Sequence, residues 1–200
     1  MNQVAIKLAR DITDSNGIVD LERAMRELDV YYQEVYDRQS PKTLAIWRNT
    51  SPKGKIIVIN RSNVTDESMR RYVLAHCLGH LVTGYFGAKY GGKKKEDAWN
   101  PETVNTVFDF TGNDHKNKLA NDFALDMLVP RWRLLKEIKN FLENKPMEDL
   151  TDYLVDVFNV PREAIEYRLR FVKIKANNTK RSQTNWYNNI FNHRQQEIKQ

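Results

Sequence analysis

His76 and His80 stand four residues apart in the stretch Tyr72-Val-Leu-Ala-His-Cys-Leu-Gly-His-Leu-Val-Thr83. On an α-helix that spacing puts both imidazoles on one face, about one turn apart. Two nitrogens so placed can hold a tetrahedral metal ion, zinc by preference. The surrounding residues describe a buried helix. Val73, Leu74, Leu78, Leu81 and Val82 are apolar, and Ala75 and Gly79 allow a neighbour to approach closely. Cys77 follows the first histidine, at i and i+3 from His80, so a cysteine nucleophile with His80 as its base is a second reading. Cysteine hydrolases, however, usually draw that pair from different elements. The third reading is two histidines kept as hydrogen-bonded core groups.

The chain that must position them has 200 residues, 40% of them hydrophobic, which suggests one domain or one domain with an appendage. The net charge of +6 permits contact with nucleic acid or an acidic partner without requiring it. The charge is spread, apart from the run Lys93-Lys94-Lys95, which reads as a solvated loop. A single cysteine excludes an internal disulfide framework and fits a reducing, cytoplasmic setting. No apolar run approaches the ~18 residues of a membrane span, and the N-terminus lacks the pattern of a secretory leader.

Along the chain, helical spacing predicts a helix over 3–15, closed by Asn16-Gly17, and a second one capped by Asp20. The period then changes. Val30–Tyr36, Leu44–Arg48 and Ile56–Asn60 read as three short strands, linked tightly enough to predict a small antiparallel sheet. Thr65 or Asp66 caps the helix that carries both histidines, which decays among the glycines after about Tyr85. Residues 86–113 carry little pattern beyond a short apolar piece, Val104–Phe110. Lys116–Leu128 is a helix with a broad apolar face, ended by Pro130. Three further helices follow, over 131–142, 146–158 and 161–172. The tail from 176 is polar, with Trp186, Tyr187, Ile190 and Phe191 as apolar handles on a short helix. The expected fold class is therefore α+β and mainly helical. Its expected parts are a main domain over 1–145, a C-terminal helical segment over 146–175 packed on it, and a polar tail over 176–200.

With these elements in place, the chain resembles the ImmA/IrrE family of zinc metallopeptidase-like proteins. Members carry a helix of the form R-x-x-x-A-H-E-L-G-H, and here it reads Arg71-Tyr-Val-Leu-Ala-His76-Cys77-Leu-Gly-His80. They continue with E-x-x-A-N-x-F-A-x-x-L-L-x-P, here Asn117-Lys-Leu-Ala120-Asn121-Asp-Phe123-Ala124-Leu-Asp-Met-Leu128-Val-Pro130. They often end on a helical segment, here Leu154-Val-Asp-Val-Phe158 through Ala164 to Arg168-Leu169. The second motif is the most specific, and the likeness spans roughly residues 3–172. It implies a zincin-like fold, a zinc cofactor, and a protein substrate or partner such as a helix-turn-helix repressor. It also implies a setting on phages, on mobile elements or in stress regulation.

Two departures qualify that expectation. Zinc peptidases place a glutamate after the first histidine as general base, and Cys77 occupies that position as a shorter and poor substitute. The resemblance makes the glutamate of the second motif the third zinc ligand, and Asn117 stands there. Asp114, one turn earlier and about 60° round the helix, is the candidate replacement; His115 would face away and Asn117 would bind weakly. The expected function is a metallopeptidase-like regulator, weakly active or binding-only. The alternative is a DNA-binding regulator that uses the basic surface and the C-terminal helices, although the last helix mixes Arg162, Arg168 and Arg170 with Glu163 and Glu166.

Overall fold

The computed structural model describes residues 3–14, 17–50, 54–89, 102–104, 107, 115–143 and 145–172. The tail after Val172, Asp114 and most of 90–113 lie outside them. The elements in chain order are α1 (Gln3–Asp11), α2 (Leu21–Glu27), β1 (Val30–Val35), β2 (Ala45–Thr50), β3 (Gly54–Asn60) and α3 (Glu67–Lys89). After these come β4 (Glu102–Val104), α4 (His115–Leu128), α5 (Arg131–Leu142), a 3₁₀ turn (Met147–Asp149), α6 (Leu150–Phe158) and α7 (Arg162–Leu169). The class is mainly helical α+β. α1 stops at Asp11, short of the expected 15, because the chain turns to bridge Thr13 with Val19. Asp20 caps α2 as expected, accepting from Arg23 N at 2.9 Å.

The sheet corrects the sequence reading. It is mixed, in the order β1-β3-β2-β4, with β1 parallel to β3 and β2 antiparallel to both β3 and the three-residue β4. Successive strands joined by short links usually form hairpins; β2 and β3 do so, but two asparagines hold β1 and β2 apart. Asn60, at the end of β3, accepts from Asp37 N at 3.0 Å and donates to Asp37 O at 2.8 Å. Asn63 donates to Ser40 O and Thr43 O at 2.9 and 2.7 Å. Together they tie the 36–44 connection across the end of β3, so β2 starts on its far side. The most apolar strand, β3, thereby takes the centre, with Ile57 and Ile59 fully buried against the helices.

α3 crosses this sheet. Asp66 caps it, accepting from Met69 N at 2.8 Å. Every residue from Arg71 to Val82 is buried, as expected of a helix covered on all sides. The sheet lies against one side, and α4 packs along another so tightly that no side chain fits at Gly79. A Cβ there would stand 2.8 Å from Ala120 Cα and 2.7 Å from Ala120 O. α1, α4 and the C-terminal helices share this same core: Ala5, Leu8, Phe123, Met127, Leu154, Phe158 and Ile165 are all in it. Burying each large side chain contributes about 1.5–3 kcal/mol. Arg168 of α7 ties the C-terminal helices to α4, donating to buried Asp126 at 2.7 Å and to Val129 O at 3.1 Å.

Candidate metal centre

The two histidines come together as their spacing predicts. His76 Nε2 and His80 Nε2 are 3.0 Å apart, and Asn117 Oδ1 lies 3.1 Å from His80 Nε2. α4 supplies Asn117 because its close packing on α3 at Gly79 brings the turn before Ala120 over the histidines. Behind His76, Nδ1 is 2.8 Å from Asn121 Oδ1. An amide oxygen only accepts, so Nδ1 carries the proton and donates. Tyr72 O–H donates to the same oxygen at 3.2 Å. Burial pushes the Tyr72 phenol well above its ordinary range, and the nearby Tyr167 and Asp122 add to it, so it remains a neutral donor. On the sheet side, the Trp47 ring of β2 stacks on His80 at 5.3 Å between centroids and 11° between planes.

The other residues singled out from the sequence fall elsewhere. Cys77 is 0% exposed, and desolvation raises its thiol far above the usual range. It sits about 100° round the helix from His76. Such burial weighs against the thiol as base and as nucleophile, since both roles need a reachable thiolate. Asp114 lies outside the described residues. His115 opens α4 and is exposed. Asn117, the weaker candidate in the sequence, is the residue of α4 that the structure sets beside His80. Trp47, Tyr72 and Asn121 were not anticipated. Asn121 was visible inside the second motif, and Trp47 carried no local signal because only the tertiary fold brings β2 against α3.

Zinc ligands in a tetrahedron with bonds of about 2.0–2.1 Å stand roughly 3.3 Å apart. The two separations at His80 approach that edge length, and the hydrogen bond behind His76 is of the kind that orients metal-binding imidazoles. Those two separations are compatible with zinc. In chemistry the trio is a weak set, because two imidazoles and an amide bring no negative charge to a buried site. Among the described residues, no three His, Cys, Asp or Glu side chains gather at metal-binding range.

A central helix presenting two histidines, backed by a second helix and flanked by a small mixed sheet, defines a metallopeptidase-like scaffold. The chain belongs to the IrrE N-terminal-like domain family, that of the ImmA/IrrE metallopeptidase-like proteins, whose model matches residues 34–170. The match runs from the end of β1 through α7, so it takes in both motif helices and the helical segment after them. No curated protein sequence matches the chain significantly. Among the described residues no helix is long and apolar enough to cross a membrane.

Proposed function

We propose that this protein is a metallopeptidase-like regulator of a phage or mobile element. It binds a protein partner, a helix-turn-helix repressor, and its peptide hydrolysis is weakened or lost. The observation that carries this reading is Asn117 Oδ1 at 3.1 Å from His80 Nε2. It stands in the third-ligand position with an amide in place of a carboxylate, while buried Cys77 occupies the position of the general base. His76, His80 and Asn117 are the residues that would hold zinc. When bound, zinc supplies Lewis-acid polarisation of a substrate carbonyl. The protein's own contribution is then the orientation of the His80 ring, which Trp47 stacks against from the sheet side.

The geometry of α7 weighs against the DNA-binding alternative. Ala164, Ile165, Tyr167 and Leu169 are buried, and Arg168 is engaged with Asp126 and Val129 O. Few cations of that helix are left to meet phosphates.

The test compares the parent with a Cys77→Glu/Asn117→Glu variant, both purified without chelator or affinity tag. Metal content is read by mass spectrometry, and each protein is mixed with candidate helix-turn-helix repressors. The reading expects a parent that binds the repressor and leaves it intact for hours, with the double variant gaining zinc. A zinc-loaded parent that cuts as fast as the variant would show an ordinary peptidase. A parent that neither binds nor cuts the repressor would remove the partner class.

A further inference from the structure

Two arginines are buried on the side of α3 turned away from the histidines. Arg71 and Arg133 are each 8% exposed. Arg71 stands about 140° round α3 from His76, and Arg133 comes from the first turn of α5. The segment between α1 and α2 touches both. Arg71 Nη2 donates to Val19 O at 3.1 Å. Two residues earlier, Gly17 lies against the Arg133 guanidinium: its φ is +79°, and a Cβ there would stand 2.8 Å from Nη2. Arg133 also donates to Val157 O at 3.3 Å, and its guanidinium covers the Phe158 ring with Cζ 4.7 Å from the centroid.

Two buried like charges, near enough for Arg133 to act on Arg71, call for a counter-charge. The carboxylates in range are committed elsewhere. Glu67 pairs with Arg70 at 3.0 Å, Glu137 accepts from Tyr153 O–H at 2.9 Å, and exposed Asp14 accepts from Ile18 N at 2.7 Å. They act on the two arginines only at a distance. Among the described residues neither arginine is in an ion pair, and Arg71 Nε is buried with no hydrogen-bond partner. Arginine does not relieve such a position by losing its proton. The bonds that both do make go to neutral carbonyl oxygens, which leave the charges unbalanced.

We infer that Arg71 and Arg133 form a binding site for a small tetrahedral oxyanion of the phosphate class, held between α3, α5 and the 17–19 backbone. A tetrahedral anion presents oxygens in more than one plane, which suits guanidiniums from two helices, whereas a carboxylate presents two oxygens in one. A phosphate also carries close to two negative charges at neutral pH and so balances both cations. Bound there, it ties the α1–α2 segment and the end of α6 to the helix of the histidines without touching the metal face.

The experiment is equilibrium dialysis of the full chain against radiolabelled inorganic phosphate, with ionic strength held constant by chloride. The parent should bind one phosphate per chain, and acetate at equal concentration should not displace it. Arg71→Met and Arg133→Met should each weaken binding at least about 10-fold. Phosphate held by a metal ion at the histidines would survive both substitutions. Asp14→Asn removes an exposed opposing charge and should tighten binding about 2–5-fold. A nucleoside monophosphate that competes as well as phosphate supports the site and makes its natural ligand a larger molecule; one that does not compete supports it with a free anion as ligand. No saturable binding by the parent overturns the inference, as does equal binding by parent and arginine variants, or displacement by acetate. If the arginine variants fail to fold, Asp14→Asn decides, and an unchanged affinity there overturns the inference too. Neither hydrolysis nor a repressor enters the readout, so the proposed function and this site stand or fall separately.

Discussion

Replacing Gly79 with alanine sets two effects of opposite sign against each other. In a helix interior, glycine to alanine alone stabilises by about 1 kcal/mol. At this position the new Cβ would lie 2.8 Å from Ala120 Cα, 2.7 Å from Ala120 O and 3.1 Å from Phe123 Cβ. Carbon atoms rest at about 3.5–4.0 Å, so α4 would have to retreat by roughly 0.7 Å. Two of the three obstacles are backbone, which cannot rotate away, and overpacking of this kind costs up to about 3 kcal/mol. The expected net loss is about 2 kcal/mol in urea denaturation, or roughly 4–8 °C in Tm for a chain of this size. The site should suffer with the fold. Asn117 and Asn121 flank Ala120, and a retreat of that size takes hydrogen bonds of 3.1 and 2.8 Å out of range. Zn²⁺ affinity should therefore fall in the same variant, and adding Ala120→Gly should not rescue it, because the clash is with backbone atoms. A Gly79→Ala protein that is about 1 kcal/mol more stable and binds Zn²⁺ unchanged would refute the close approach of α3 to α4.

Three further outcomes follow from single contacts. Native Cys77 should react with iodoacetamide at pH 8 at least about 100-fold more slowly than the same thiol in urea, since burial removes both its thiolate and its access; equal rates would place the thiol at the surface. Arg168→Met leaves the Asp126 carboxylate buried without its counter-charge and should lower stability by about 3–5 kcal/mol, with Asp126→Leu added to it recovering most of the loss in the same urea titration. Burial alone would raise the Glu34 carboxyl, but hydrogen bonds from Tyr32 and Arg70 and the charges of Arg70 and Arg61 outweigh it and hold the group below its usual range. A depressed carboxyl contributes stability above its unfolded pKa of about 4.3 and loses it as pH falls through the lower folded value. Glu34→Gln should thus be less stable than the parent at pH 7 and equal to it near pH 2, and a constant difference across that range would break the argument.

Where local chemistry decides the outcome, the residues themselves announce it. The i, i+4 histidines, the Asp20 cap, the apolar face of α4 and its end before Pro130 all depend on neighbours within a turn or two, and all appear where spacing puts them. The strand order depends on Asn60 and Asn63 reaching back more than 20 residues to the 36–44 connection, and asparagines near a turn look alike whether they do this or face solvent. β4 has three residues and no period to read. The same limit applies at the site. Asn117 is weak by donor type, yet its place beside His80 follows from a helix–helix distance set at Gly79. Trp47 reaches His80 only because the sheet passes under α3.

The tie between Asp126 and Arg168 also has a direction in time. Asp126 leaves the ribosome 42 residues before Arg168, the cation that pairs with it. At about 5–20 residues per second, that interval lasts roughly 2–8 seconds. During it α4 carries a carboxylate that its final surroundings could not accept alone. The helix that backs both histidines therefore lacks this tie until α7 has been made, and the Asp126–Arg168 contact is among the last of the described ones to form. A nascent or prematurely ended product that stops before Arg168 would display both site motifs in its sequence and lack the packing that makes them a site.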